Sequence, residues 1–141
     1  MGGCMVSLYG FSPDKRFRRP VALAWTKDGF LAVANRDTGS ISLVDVKKRK
    51  LVGESAVGKR LSGLISIPGS SFLAAVDEED NELILLEKVG FQIKTRARSM
   101  VAHSPVSLTA SGDGRHLAVV SLWARRVSLF AMDAKGKSFQ R

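Results

Sequence analysis

The chain has a single cysteine, at position 4, so it can form no internal disulfide and carries no paired-cysteine metal or haem-attachment motif. Histidine is almost as scarce: His103 and His116 stand apart and do not make a two-histidine metal motif. No run approaches the roughly 20 apolar residues that a membrane-spanning helix needs. Met1 to Gly10 has neither a basic start nor a long apolar stretch, so no export signal is expected there. The opening Met1-Gly2-Gly3-Cys4 fails as a lipidation signal, since Val6 occupies the place of the required Ser or Thr and no apolar run precedes Cys4. A glycine-framed nucleophilic serine and a phosphate-cradling glycine loop are also missing. No catalytic residue, metal-ligand set or cofactor is therefore expected. Helical periodicity is scarce as well, because apolar positions three and four apart are few.

What is present is a phrase of about 25 residues written three times, the mark of a repeat protein. The first copy reads Pro20-Val21-Ala22-Leu23-Ala24-Trp25, then Phe30-Leu31-Ala32-Val33-Ala34-Asn35, then Ser40-Ile41-Ser42-Leu43-Val44-Asp45. The second runs through Gly63 to Ile67, Phe72 to Asp77 and Leu83 to Glu87, and the third through Pro105 to Thr109, His116 to Val120 and Val127 to Phe130. The spacing holds: Leu31 and Leu73 lie 42 residues apart, Leu73 and Leu117 lie 44 apart, and Ile41, Leu83 and Val127 repeat both intervals. A period near forty built only of strand-like segments belongs to propeller blades.

Within each unit, Asp28-Gly29, Pro68-Gly69 and Asp113-Gly114 predict a tight turn between the first two strands. The second strand is apolar without alternation, which suits a strand covered on both faces, and its alanines let neighbouring sheets approach closely. The third strand alternates, with Ser40, Ser42 and Ser128 between aliphatic residues. A fourth, outer strand is predicted at Lys50 to Val57 and at Phe91 to Ala97.

These residues carry a resemblance. Leu31-Ala32-Val33-Ala34-Asn35, Ser40-Ile41-Ser42-Leu43-Val44-Asp45 and the later Val57-Gly58 resemble the YVTN class of β-propeller repeat, and Ser111 to Val119 resembles its turn-and-strand segment. The likeness covers roughly residues 20 to 134. It departs from the pattern at Leu61 and Ser62, where a joint proline is expected, and at Asp77, which replaces the strand-ending asparagine. The resemblance implies architecture more than activity, since such blades occur in lactonase-like enzymes, surface-layer proteins and haem- or copper-linked periplasmic proteins. It also implies a periplasmic or extracellular parent protein.

The expected fold is all-β: a partial β-propeller of about three consecutive four-stranded antiparallel blades. The expected division is a remnant outer strand and joint at 1–19, blades at 20–58 and 59–101, and a third blade at 102–141 with an incomplete outer strand. Propellers usually close with four to eight blades, and 141 residues do not make that many. A truncated propeller is therefore expected, whose partners are missing blades or further copies of itself.

A net charge of +9, from 22 Lys and Arg against 13 Asp and Glu, invites a nucleic-acid reading. The cations fall instead where outer strands and loops are predicted, and Lys94, Arg96 and Arg98 alternate with Ile93, Thr95 and Ala97 as in a solvated edge strand. Nucleic acid is thus not the expected partner, because a binding stripe carries aromatics beside its cations and only Trp123 meets that description.

Function on such a scaffold belongs to the face that carries the loops between second and third strands and the joints between blades. The candidate contacts there are Asn35, Arg36, Asp37, Arg60, Asp77, Asp80, His103, Trp123 and Arg125. The acidic run from Asp77 to Asp80 either holds a hard cation or is a charged turn, and it lacks the spacing of a calcium loop. Trp123 beside Arg125 either stacks on a planar or anionic ligand or packs over its own loop. His103, just before Pro105, is a single histidine and not a site by itself. The expected function is a non-catalytic binding or scaffold module presenting this face to a protein or small ligand. The alternatives are a piece of a propeller enzyme, lactonase-like or linked to haem or copper, with its catalytic groups in other blades, and a polyanion-binding domain.

Overall fold

In the computed structural model, which describes residues 3, 5, 6, 17–133, 139 and 140, each copy of the repeat becomes one antiparallel sheet. The first sheet orders β1 (Pro20–Trp25), β2 (Leu31–Asn35), β3 (Ser40–Asp45) and β4 (Lys50–Ala56) in chain sequence. The second orders β5 (Leu61–Ser66), β6 (Phe72–Asp77), β7 (Glu82–Val89) and β8 (Gln92–Met100), and the third β9 (Pro105–Ala110), β10 (His116–Ser121), β11 (Arg126–Met132) and β12 (Phe139–Gln140). No helix occurs among the described residues. The remnant strand expected around Tyr9 to Phe17 lies, apart from Phe17, outside the described residues.

Two left-handed turn positions recur in register with the repeat. Gly29, Gly69 and Gly114 sit at φ of 86°, 73° and 70° in the first turn of each sheet, a conformation that costs a residue without a Cβ nothing. The second position, closing the turn between second and third strands, is held by Gly39, Asn81 and Arg125 at 62°, 56° and 52°. Glycine and asparagine suit that geometry and arginine does not, so the backbone of the third blade accepts a local cost there.

The sheets stack face to face, with β1, β5 and β9 side by side. One core lies between the first and second sheets, where Ala32, Ala34, Ile41 and Leu43 meet Leu64, Leu73, Ala75, Ile84 and Leu86. A second core lies between the second and third, where Ala74, Val76, Leu83 and Leu85 meet Leu108, Leu117, Val119 and Phe130. The strand β6 is buried at every position because both its faces are covered, whereas β10 alternates buried with more accessible residues because, among the described residues, a sheet covers only one of its faces. The unbroken apolar pattern of the second strand is thus explained by stacking, as its alanines predicted.

Close approach is also written into Gly53 on β4, where an added Cβ would lie 2.0 Å from the Phe91 carbonyl oxygen of the second sheet. Gly53→Ala is expected to lower the unfolding free energy by about 1–3 kcal/mol, since the obstacle is backbone and cannot swing aside. Urea titration of the two proteins measures it, and equal midpoints would refute this packing.

The serines of the third strand are not solvated. Ser40 and Ser42 are buried, and Asn35 donates from Nδ2 to their hydroxyl oxygens at 3.2 and 2.8 Å. Ser40 in turn donates to Glu54 at 2.8 Å, and Arg18 donates to the same carboxylate at 3.0 Å. Period-two alternation marks a polar side of the strand correctly, but here that side is sealed rather than wet. The outer strand β8 is the solvated one: Arg96 pairs with Glu87 at 2.6 Å and Arg98 with Glu82 at 2.7 Å along its exposed edge.

Candidate functional site

Antiparallel order carries the loops at 36–39, 78–81 and 122–125 and the joints at 57–60 and 101–104 to one end of the stack. One bond between loop and joint recurs in every blade. The first loop amide donates to a joint carbonyl in every blade: Arg36 to Arg19, Glu78 to Arg60 and Leu122 to Ser104, all at 2.9 Å. Loop and joint therefore form one rigid lip per blade, which is what a site built on loops requires.

Two of the candidate residues lie beneath this face rather than on it. Asp77 is fully buried, and its carboxylate accepts the backbone amides of Lys59 at 2.7 Å, Glu79 at 2.9 Å, and Arg60 and Asp80 at 3.3 Å. Four donors converge on it, so its charge is spent on holding the joint to the loop rather than offered to a cation. Asn35 occupies the same place in the first blade and is likewise buried against Ser40 and Ser42. In the third blade the place belongs to Ser121, whose hydroxyl donates to the Ala102 carbonyl at 2.8 Å.

Ion pairs occupy two more. Arg36 reaches from the first blade to Glu78 of the second, and Ser104 of the third blade donates to the other oxygen of Glu78 at 3.4 Å. Glu78 thus ties three blades together at the loop face. Asp80 accepts Lys59 at 2.8 Å, and this bond, with the added negative charge of Glu79 and Asp77, raises the Lys59 pKa above its ordinary value. Among the described residues, no group of three or more His, Cys, Asp or Glu is placed to hold a metal ion.

The remaining candidates are accessible. Asp37 and Arg60 line a cleft of about 410 Å³ between the first and second blades, together with Thr38, Gly58, Lys59 and Glu79. Its walls carry both charges, so it suits a ligand with an anionic group for Arg60 and a donor for Asp37. His103, Trp123 and Arg125 belong to the joint and loop of the third blade, and all three are exposed. Trp123 is 74% exposed, so it is not packed over its own loop.

The opposite end carries a cluster that spacing alone does not reveal. Lys88 of the second blade bonds Asp28 of the first at 2.7 Å and lies 4.2 Å from the centre of the Phe30 ring, which in turn meets Phe91 at 6.0 Å. Burial pushes the Asp28 pKa upward, but the Lys88 bond and charge and the Thr26 hydroxyl outweigh it and hold the carboxyl below its ordinary value. This cluster ties the first blade to the second at that end, with the Lys88 side chain largely buried and the Asp28 carboxylate half exposed.

No protein-family model matches the chain, and no curated protein matches it. Solved structures do. A Bacteroides fragilis protein assigned as a 6-phosphogluconolactonase superposes with a TM-score of 0.79 at 13% identity, over 87% of this chain and 37% of its own. The periplasmic gluconolactonase of Pseudomonas aeruginosa gives 0.74 at 17% identity, over 92% and 40%. A β-propeller domain from Myceliophteria thermophila gives 0.69 at 13% identity, over 86% and 42%. The chain thus spans about two-fifths of the length of these neighbours. Two lactonase descriptions and one that names only a β-propeller domain stand side by side on one architecture, so the likeness speaks for fold and not for chemistry. This chain carries three blades of a β-propeller.

Proposed function

We propose that this chain is a non-catalytic binding or scaffold segment of a propeller, built of blades at 20–58, 59–101 and 102–141, whose loop face receives a protein or small ligand. The observation that carries the reading is the division of labour on that face. Asp77, Arg36, Glu78, Lys59 and Asp80 are spent on holding it rigid. Trp123 stands 74% exposed in the loop that leads to the exposed cations Arg125 and Arg126. Exposed tryptophan beside arginine is the composition that dominates binding energy at interfaces, and a rigid frame lowers the entropy cost of using it.

The combined substitution of Arg60, His103, Trp123 and Arg125 by alanine tests this. These side chains are exposed, so each change is expected to move stability by no more than about 0.5 kcal/mol. Cross-linking in the native host is expected to yield a discrete partner with the wild-type chain and to lose it with the variant. The rival reading, a lactonase-like enzyme, rests on the names of the structural neighbours. Hydrolysis of gluconolactone by this chain above the spontaneous rate would overturn the non-catalytic assignment.

A further inference from the structure

At the loop face the first and second blades are fastened to each other through backbone. The Gly39 carbonyl accepts the amides of Val57 at 3.0 Å and Gly58 at 2.9 Å, and a Cβ on Gly39 would lie 2.0 Å from the Gly58 oxygen. From the second blade the buried Asp77 carboxylate holds the Lys59 and Arg60 amides, and the Arg60 carbonyl accepts the Glu78 amide at 2.9 Å. Three segments wall the cleft of about 410 Å³: the first loop at Asp37 and Thr38, the joint at Gly58 to Arg60, and the second loop at Glu79. These bonds set the walls in place before any ligand arrives, which lowers the entropy cost of binding. Both flanking blades, residues 20–100, are described throughout.

Charge is what the walls leave unmatched. Elsewhere on this face opposite charges find each other, Arg36 with Glu78, and Lys59 with Asp80 at 2.8 Å. In the cleft they do not: among the described residues the side chains of Asp37, Arg60 and Glu79 make no ion pair or hydrogen bond, although all three line one cavity. Thr38 adds an acceptor. Its hydroxyl lies 2.8 Å from that of Ser40, whose single proton goes to Glu54, so Thr38 donates in this bond and keeps only lone pairs free. The cleft therefore offers two carboxylates and a hydroxyl oxygen to donors, and one guanidinium to an acid.

We propose that this cleft binds a small zwitterion with one carboxylate and two ammonium groups, an amino acid with a basic side chain. The ligand carboxylate pairs with Arg60, whose planar fork matches it, and the ammonium groups pair with Asp37 and Glu79. Unpaired wall charge of two negative and one positive meets ligand charge of two positive and one negative, so a ligand of a single sign leaves part of the wall unmatched. The volume lies within the range of about 300–1,000 Å³ typical of small-molecule sites. This inference rests on the reading of the loop face as a ligand-receiving surface and names a ligand for its first two blades.

Isothermal titration calorimetry of the full chain with lysine at low ionic strength tests it. A dissociation constant of ~1 mM or tighter is expected, the range for a ligand of so few atoms. Acetate and a diaminoalkane each carry one sign of charge, and Nα-acetyl-lysine lacks one ammonium. All three are expected to bind at least ~10-fold more weakly, as loss of one charge-assisted hydrogen bond predicts. Arg60→Ala and Asp37→Asn are expected to weaken lysine binding by the same factor. Lys94→Ala on the exposed outer strand removes the same charge as Arg60→Ala and is expected to leave binding unchanged. Far-ultraviolet circular dichroism checks that each variant keeps the strand signal. Absence of lysine binding overturns the proposal, as does any of the three partial ligands binding as tightly as lysine. Equal weakening by Lys94→Ala and Arg60→Ala also overturns it, because net charge alone then acts. A chain that ignores lysine but still yields its cross-linked partner in the native host overturns this ligand and keeps the loop-face reading, whereas loss of both overturns the two together.

Discussion

Asp77→Ala is expected to remove about 3–5 kcal/mol of stability, the largest effect of any single change at the loop face. The carboxylate is fully buried and accepts four backbone amides from two segments, the joint at Lys59 and Arg60 and the loop at Glu79 and Asp80. Removing it leaves donors unpaired where water is excluded, at about 1–3 kcal/mol for each one that finds no substitute. A domain with a typical 5–15 kcal/mol in hand cannot lose that much without populating unfolded chains. Asp77→Asn keeps one acceptor oxygen but turns an amide toward the same N–H groups, so it is expected to fall between wild type and alanine. Urea unfolding followed by circular dichroism distinguishes the three proteins. An alanine variant within 1 kcal/mol of wild type would falsify the structural role and return Asp77 to the list of ligand contacts.

Phe130→Ala is expected to cost about 3–5 kcal/mol, the range for deleting a wholly buried phenylalanine. The ring is among the largest side chains sealed in the molecule and joins Leu108, Leu117 and Val119 in facing the second blade, with Phe139 at 5.8 Å on its outer side. Among the described residues the third blade has no neighbouring sheet on its other side, so this one interface carries its attachment. The consequence is local before it is global: hydrogen exchange is expected to speed up first in β9–β11 while β2 and β6 stay protected. Uniform loss of protection across all three sheets would show that the blades unfold as one unit.

Much of the architecture follows from short-range signals. Three glycine turns, three apolar second strands and intervals of 42 and 44 residues are local patterns, and each local pattern agrees with its neighbours. The second left-handed position is legible at Gly39 and Asn81, which favour that backbone, and illegible at Arg125, which does not. Arg18 and Glu54, which meet across 36 residues of sequence, carry no periodic signature at all. The same holds for Lys88 and Asp28, 60 residues apart.

The loop face divides along the same line. Repeat position alone placed Asn35 and Asp77 at corresponding strand ends, and the loops after them at one end of the stack. Whether a side chain there meets ligand or backbone depends on which amides turn toward it, and that is set by the packing of the next blade. Asp77 and Asp80 are three residues apart with the same carboxylate, yet one is buried and accepts four backbone amides and the other pairs with a lysine at the surface. Sequence by itself determined the blade, its turns and its number of copies, because those rest on contacts between residues close in the chain. Only the tertiary structure decided which polar groups are consumed in joining blades and which apolar faces stay open, because burial is a property of neighbouring sheets rather than of any one strand.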